Sequence, residues 1–261
     1  MTAFTYDLAT IRVLWRRDLL KFFRQPSRLA GALGQPIVFW LVIGSGMAAT
    51  FRLPGQSVGY LEYFYPGVIG MVVLFASIFS TLSVIEDRHA GFLQSVIAGP
   101  GSRAALVLGK SVGAASVALV QAALFLLLAP AAGFGLLKVS WLLLVPTLVF
   151  TALALTALGF AVAWWLDNVQ AFHAVQMLLL VPLWIMSGAM FPPSSEHKLF
   201  ALLMAVNPLA YSLSATRHAL YGGVAPVATT LWSTPWADLA VVVGFAIAMV
   251  GLAVFTCERK R

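Results

Sequence analysis

Six runs of about twenty residues, nearly free of charge, follow one another along the chain. A helix of that length crosses the hydrocarbon core of a bilayer. In that core every backbone N–H and C=O must be satisfied within the protein. The runs cover 29–50, 63–85, 104–129, 139–164, 171–190 and 236–255. Pro36 is expected to kink the first, and Pro146 and Pro182 fall inside later ones. Composition excludes a soluble fold: 61% of residues are hydrophobic and 10% charged, where soluble domains carry about a quarter charged residues. A chain of 261 residues cannot hide that much apolar surface within itself, so lipid must cover its outside. The expectation is an all-α integral membrane protein made of one transmembrane domain, 1–261, with six transmembrane helices.

The segments between the runs carry the remaining information. Residues 4–25 read as an amphipathic helix. Leu8, Ile11, Trp15, Leu19 and Phe22 recur at helical spacing on one face. Arg17, Lys21 and Arg24 fall opposite, Arg12 and Arg16 border them, and Asp18 interrupts the apolar face. A helix lying flat in the membrane interface fits this pattern, and so does one packed on protein. Residues 86–103 form a polar island that opens on Glu86-Asp87-Arg88. Charge of that density does not stay in hydrocarbon. Phe92, Leu93, Val96 and Ile97 then recur at helical spacing, and Gly99-Pro100-Gly101 stops the pattern. A short helix outside the membrane, the handle for a soluble machine, is one reading; a solvated loop is the other.

Residues 191–235 are too long for a turn. They hold two apolar stretches, 199–206 and 209–220, both too short to cross. Pro192-Pro193, Asn207-Pro208 and Gly222-Gly223 punctuate them. Two short re-entrant helices on the outer side are expected ahead of pieces resting on the surface.

Six spans put both termini on one side. Twelve of the 16 basic residues fall there: Arg12, Arg16, Arg17, Lys21, Arg24, Arg28, Arg88, Arg103, Lys110, Arg259, Lys260 and Arg261. Arg52, Lys138, Lys198 and Arg217 fall on the other. The termini and the island are therefore expected in the cytoplasm, with the net charge of +7 facing anionic lipid rather than nucleic acid. No cleavable signal peptide is expected.

Little in the chain supports catalysis. The single cysteine, Cys257, excludes an intrachain disulfide. Residues 104–111 resemble a phosphate loop, but Ala104 stands where its first glycine belongs and no strand precedes it. Lys110 is expected to snorkel to headgroups instead. Ser45 and Ser187 lack an oriented base, since His173 and His218 fall on opposite sides of the membrane. No histidine pair has zinc spacing, and no metal site or catalytic residue is expected. Gly109 and Gly113 form a G-x-x-x-G pair that permits close helix packing. Asp238, near the outer end of the sixth run, reads as a headgroup-level acid.

Three stretches together resemble the ABC-2 family of ABC-transporter permeases over essentially the whole length. They are the basic N-terminal helix ending in Arg24-Gln25-Pro26; Glu86-Asp87-Arg88 through Gly91-Phe92-Leu93 to Ser102-Arg103 and Leu108-Gly109-Lys110; and Ser187-Gly188-Ala189-Met190-Phe191-Pro192 through Asn207-Pro208-Leu209-Ala210-Tyr211 to Arg217. Within the family the sequence looks most like short bacterial drug- or antibiotic-efflux permeases. Gly99-Pro100-Gly101 departs from the pattern, where a bulkier residue more often follows the proline.

The resemblance implies six spans, an interfacial N-terminal helix carrying Trp15, Arg16, Arg17, Lys21 and Arg24, and an outer re-entrant region carrying Asn207, Pro208, Tyr211 and Arg217. It implies that the island is a coupling helix seated on a separate ATPase. Glu86, Asp87 and Arg88 would meet the ATPase by charge, and Gly91, Phe92, Leu93 and Gln94 would seat in its groove. Two permease subunits, as a homodimer, would assemble with two ATP-binding subunits that carry the ATP and Mg, in a bacterial inner membrane. Phe39, Trp40, Phe75, Phe79, Trp184 and Met186 are candidates for an apolar export path. Export of a lipid-linked polysaccharide or other glycolipid by the same architecture, and a non-transporting membrane scaffold, are the alternatives.

Overall fold

The computed structural model describes residues 3–49, 58–191, 198–222 and 234–259. The Pro192-Pro193 break, Gly223 and the last two basic residues lie outside them.

Among the described residues the regular structure is entirely helical. The elements are α1 (Ala3–Phe23), α2 (Pro26–Met47), α3 (Tyr60–His89), α4 (Phe92–Ile97), α5 (Arg103–Leu126), a 3₁₀ turn (Ala129–Ala132), α6 (Trp141–Trp165), α7 (Val169–Ile185), α8 (Lys198–Val206), α9 (Pro208–Leu220) and α10 (Pro235–Arg259). Four helices are long and apolar enough to cross a membrane: α3, α5, α6 and α10. The apolar parts of α2 and α7, Gly31–Met47 and Val169–Ile185, are shorter. Each of the six expected runs falls on one of these helices, and each helix continues through its internal proline.

The helix ends obey local chemistry. Ser102 caps α5 by accepting from the Ala105 N–H at 3.1 Å. Asn168 caps α7 through the Gln170 and Ala171 N–H groups, and Asn207 caps α9 through Leu209 N–H. Gly91 breaks α3 from α4 at φ +73°, a left-handed conformation that glycine adopts without steric cost.

α3 is the hub. It packs on α2, α5, α6, α7 and α9, and its middle turns are almost wholly buried. α10 lies across α6 and α9, while α1 packs along α5. The outward faces of α2, α7 and α10 stay apolar and open, as at Val42, Leu178 and Ile247. Such faces suit lipid rather than water.

α9 is enclosed. Leu209 through Leu220 are all buried, packed between α3, α6 and α10. Its carbonyl at Ala219 accepts from Ser140 N–H at 2.8 Å, and Thr151 and Ser212 share a hydroxyl hydrogen bond at 2.6 Å. α9 is therefore packed inside the protein rather than lying on its outside. Asp238 is fully buried in the first turn of α10.

Candidate functional site

The two ends of the bundle differ in chemistry. One end gathers aromatic rings and backbone carbonyls. Trp184 Nε1 donates to Gly67 O at 2.8 Å, Tyr63 Oη to Gly188 O at 3.0 Å, and Tyr60 Oη to Met190 O at 3.1 Å. Arg217 donates to the same Gly188 carbonyl at 2.8 Å and lies over the Tyr63 ring. Asn207 Nδ2 reaches Leu183 O, Tyr211 Oη reaches Ala205 O, and Pro208 opens α9. Asn207 and Arg217 thus fix α9 to the body, and Tyr211 ties it to α8.

The other end gathers charge, and there the candidate site lies. Asp87, in the last turn of α3, is 2% exposed. Arg17 of α1 donates to both its oxygens, at 2.6 and 2.7 Å, a bidentate pairing. Lys110 of α5, also 2% exposed, bonds the same carboxylate and reaches Asp18 of α1 at 3.1 Å. Four buried or half-buried charges, two of each sign, therefore tie α1, α3 and α5 together. Lys21 extends the network to Glu86 at 2.9 Å. The Asp87 hydrogen bond raises the Arg17 pKa further. Burial pushes the Asp18 carboxyl above the usual carboxylate range, with Lys110 pulling the other way.

The close approach of α1 to α5 depends on two glycines. A Cβ at Gly109 would stand 3.0 Å from Leu14 and 3.1 Å from Ile11 Cα; one at Gly113 would stand 3.2 Å from Asp18. The G-x-x-x-G pair is the seam on which α1 sits. Trp15 closes it by donating from Nε1 to Ser116 Oγ at 3.0 Å.

α4 hangs beneath this network. Leu93 is 1% exposed, and Phe92 lies under the Arg17 guanidinium, 3.9 Å from ring centroid to Cζ. Gln94, Ser95 and Ile97 face outward. Beside α4, Arg88 donates to Asp167 Oδ1 at 2.9 Å and to Trp164 O, and lies over the Trp164 ring. Asp167 holds a positive φ of 42° in the α6–α7 turn. Arg103 donates to Cys257 O at 2.8 Å, tying the end of α10 to the start of α5.

Several sequence expectations need correction. Asp87 is buried and Arg88 half-buried, and both already have partners within the chain. Leu93 is buried within its own chain, at 1% exposure. Arg17 and Lys21 face the bundle, because the buried face of α1 runs through Leu14, Asp18 and Phe22 rather than Leu8, which is exposed. Arg16 and Arg24 stay exposed. Lys110 does not snorkel, and Asp18 and Asp87 occupy its ammonium. Sequence reasoning missed Asp18, Lys110 and Asp167 as site residues. The signal was present: opposite charges on otherwise apolar faces of α1 and α5 imply that the faces meet.

The aromatic candidates separate into two groups. Phe39, Trp40 and Trp184 pack into a cluster with Phe64, Tyr65 and Phe125. Trp40 is further fixed by its bond to Leu61 O. Phe75 and Phe79 instead line a cavity of about 490 Å³ between α2, α3, α5 and α7. Met186 ends α7, apart from that cavity. The two serines weighed as nucleophiles donate to carbonyls one turn back: Ser45 to Leu41 O and Ser187 to Trp184 O, each at 2.6 Å.

A helical membrane body whose charged end carries a short external helix, with an apolar cavity within, belongs to the class of membrane transport subunits. The pattern of the ABC-2 type transporter family matches residues 9–221, and the chain belongs to that family. It is similar to nodulation protein J of Sinorhizobium fredii, at 27% identity over 81% of this chain and 83% of that one. It is also similar to a putative transport permease, ycf38, of Cyanophora paradoxa, at 25% over 78% and 72%. A third relative is the daunorubicin resistance ABC transporter permease protein DrrB1 of Streptomyces coeruleorubidus, at 24% over 82% and 75%. Permeases of this family work with ABC ATP-binding subunits.

Proposed function

We propose that the chain is the permease subunit of an exporter, driven by a separate ATP-binding subunit through α4. The helices α2, α3, α5, α6, α7 and α10 are its six passes. α7 has 17 residues, about 25 Å of helix, a few ångströms short of the hydrocarbon core, which local thinning of the bilayer accommodates. The charged end faces the cytoplasm, by the excess of basic residues there. α8 and α9 re-enter from the outside, a reading that the enclosure of α9 supports. Two copies of the chain assemble with two ATP-binding subunits, which bind ATP and Mg, in a bacterial inner membrane.

The observation that carries this reading is the ion network around Asp87. It joins α1, α3 and α5 directly above α4, so a displacement of α4 reaches the bundle as one piece. ATP does work here only through what it binds better in one state than the other. Closure of the ATPase pair then shifts the bundle between inward- and outward-open forms. The groups exposed to the ATPase are Gln94, Ser95 and Ile97 on α4, with Glu86 and His89 beside it, which also meet Lys21 and Asp167 within the chain. The cargo is apolar or amphipathic and drug-like, supported by the cavity at Phe75 and Phe79 and by the relative named for daunorubicin resistance.

Co-purification from mild detergent tests the coupling. Ile97→Asp with Gln94→Arg is expected to lower capture of the ATP-binding subunit at least tenfold while the chain itself stays folded. Unchanged capture would overturn the assignment of α4.

A further inference from the structure

α7 packs along α3, but among the described residues it makes little close approach to α6 or α10. The gap left there is another cavity, of about 300 Å³, at the low end of the range typical of small-molecule sites. Leu158 and Val162 of α6, Leu180 and Leu183 of α7, and Phe245 and Met249 of α10 line it. Leu179 belongs to the same lining and is 54% exposed on the open apolar face of α7, so the cavity opens where lipid lies. One side chain in the lining is polar: Gln176 of α7, 3% exposed. Its Oε1 accepts from His173 Nδ1 at 3.1 Å, while its Nε2 has no partner among the described residues. A buried amide N–H without a partner is disfavoured, and the penalty lifts when an entering group accepts from it. Water fits poorly, because a buried water needs about two to four polar partners and this lining offers one polar side chain.

We infer that this cavity holds an acyl chain of a membrane lipid, with the ester carbonyl of that chain accepting from Gln176 Nε2. The match is between a lone donor and a group that only accepts. The chain fills the space that α6 and α10 leave beside α7 and takes the place of helix packing there. α7 is short for the bilayer, and the thinning that accommodates it draws the ester level inward toward Gln176. The lipid is then a fixed component of the fold rather than cargo. The inference rests on the membrane placement of α7 proposed above and is independent of ATP coupling.

Lipid retention by the purified full chain tests the site. The chain is reconstituted in an equimolar mixture of dipalmitoyl phosphatidylglycerol and dihexadecyl phosphatidylglycerol, whose chains are joined by esters in the first and ethers in the second. Excess mild detergent strips loose lipid, and mass spectrometry of the intact chain reads what stays bound. The wild type is expected to keep one lipid per chain and to prefer ester over ether about fivefold, the worth of one hydrogen bond. Gln176→Leu should keep a lipid without that preference, and any intrinsic difference between the two lipids cancels in the comparison. Met249→Trp fills the cavity from α10 with Gln176 intact, and is expected to lower retention at least fivefold. Elution of each variant at the wild-type volume shows that it has kept its fold. An equal ester preference in wild type and Gln176→Leu would overturn the proposal, as would undiminished retention in Met249→Trp. Reaction of Leu178→Cys, in a Cys257→Ser background, with a water-borne maleimide would remove the membrane placement of α7; retention blind to the linkage would remove the site alone.

Discussion

Asp87 accepts from a guanidinium and an ammonium at once, in a place where water hardly reaches. A buried ion pair costs desolvation, so its presence says little about net stability, but removing one member leaves the others uncompensated. Asp87→Asn is therefore expected to cost about 3–5 kcal/mol, read as a fall in the unfolding midpoint of the detergent-solubilised chain. Asp18 behaves differently, because burial raises its pKa rather than lowering it. A carboxyl whose folded pKa lies above its unfolded one stabilises the fold below the unfolded value, and that contribution is lost as pH rises through the folded one. Stability is thus expected to decline as pH climbs upward from the ordinary carboxylate range. Asp18→Asn should flatten that decline and cost less than Asp87→Asn at acidic pH. A variant as pH-sensitive as the wild type would contradict this account.

At the scale of elements, α1 and α4 each depend on one close-packed contact among their ties to the body. α1 lies on the Gly109–Gly113 seam, where a side chain at either position meets Leu14, Ile11 or Asp18. Gly113→Leu is expected to lift α1 from α5 and to expose the α1 backbone to hydrogen exchange, while α6 and α10 stay protected. α4 has only six residues and makes no independent helix in water. Its hold is Leu93, buried at 1%. Leu93→Ala is expected to cost about 2–5 kcal/mol, read as a lowered thermal midpoint, whereas Ile97→Asp on the outward face should leave that midpoint within a degree or two.

At the scale of the molecule, the six passes proposed above put both termini and α4 on one side. A cysteine introduced at position 95, with Cys257 replaced by Ser, should react with an impermeant thiol reagent only once the membrane is opened. Labelling of intact cells at that position would reverse the orientation and remove the case for α4 as the contact with the ATPase.

The helices of this bundle were readable because length and apolarity are local properties. A twenty-residue apolar run has one stable outcome in lipid, with its backbone bonds closed inside the segment. The break between α3 and α4 was legible for the same reason, in Gly91 and the charges around it. Opposite charges on the apolar faces of α1 and α5 signal that those faces meet, but not which charge pairs with which. Arg17, Asp18, Asp87 and Lys110 are separated by up to 93 positions, and the face of α1 that turns inward is set by the glycine seam on α5 and not by its own apolar stripe. The sequence by itself therefore determined where the helices are and that lipid surrounds them, since those follow from the solvent. The tertiary structure decided which polar groups neutralise one another and which remain available, since that depends on contacts between helices for which apolar lipid supplies no preference of its own.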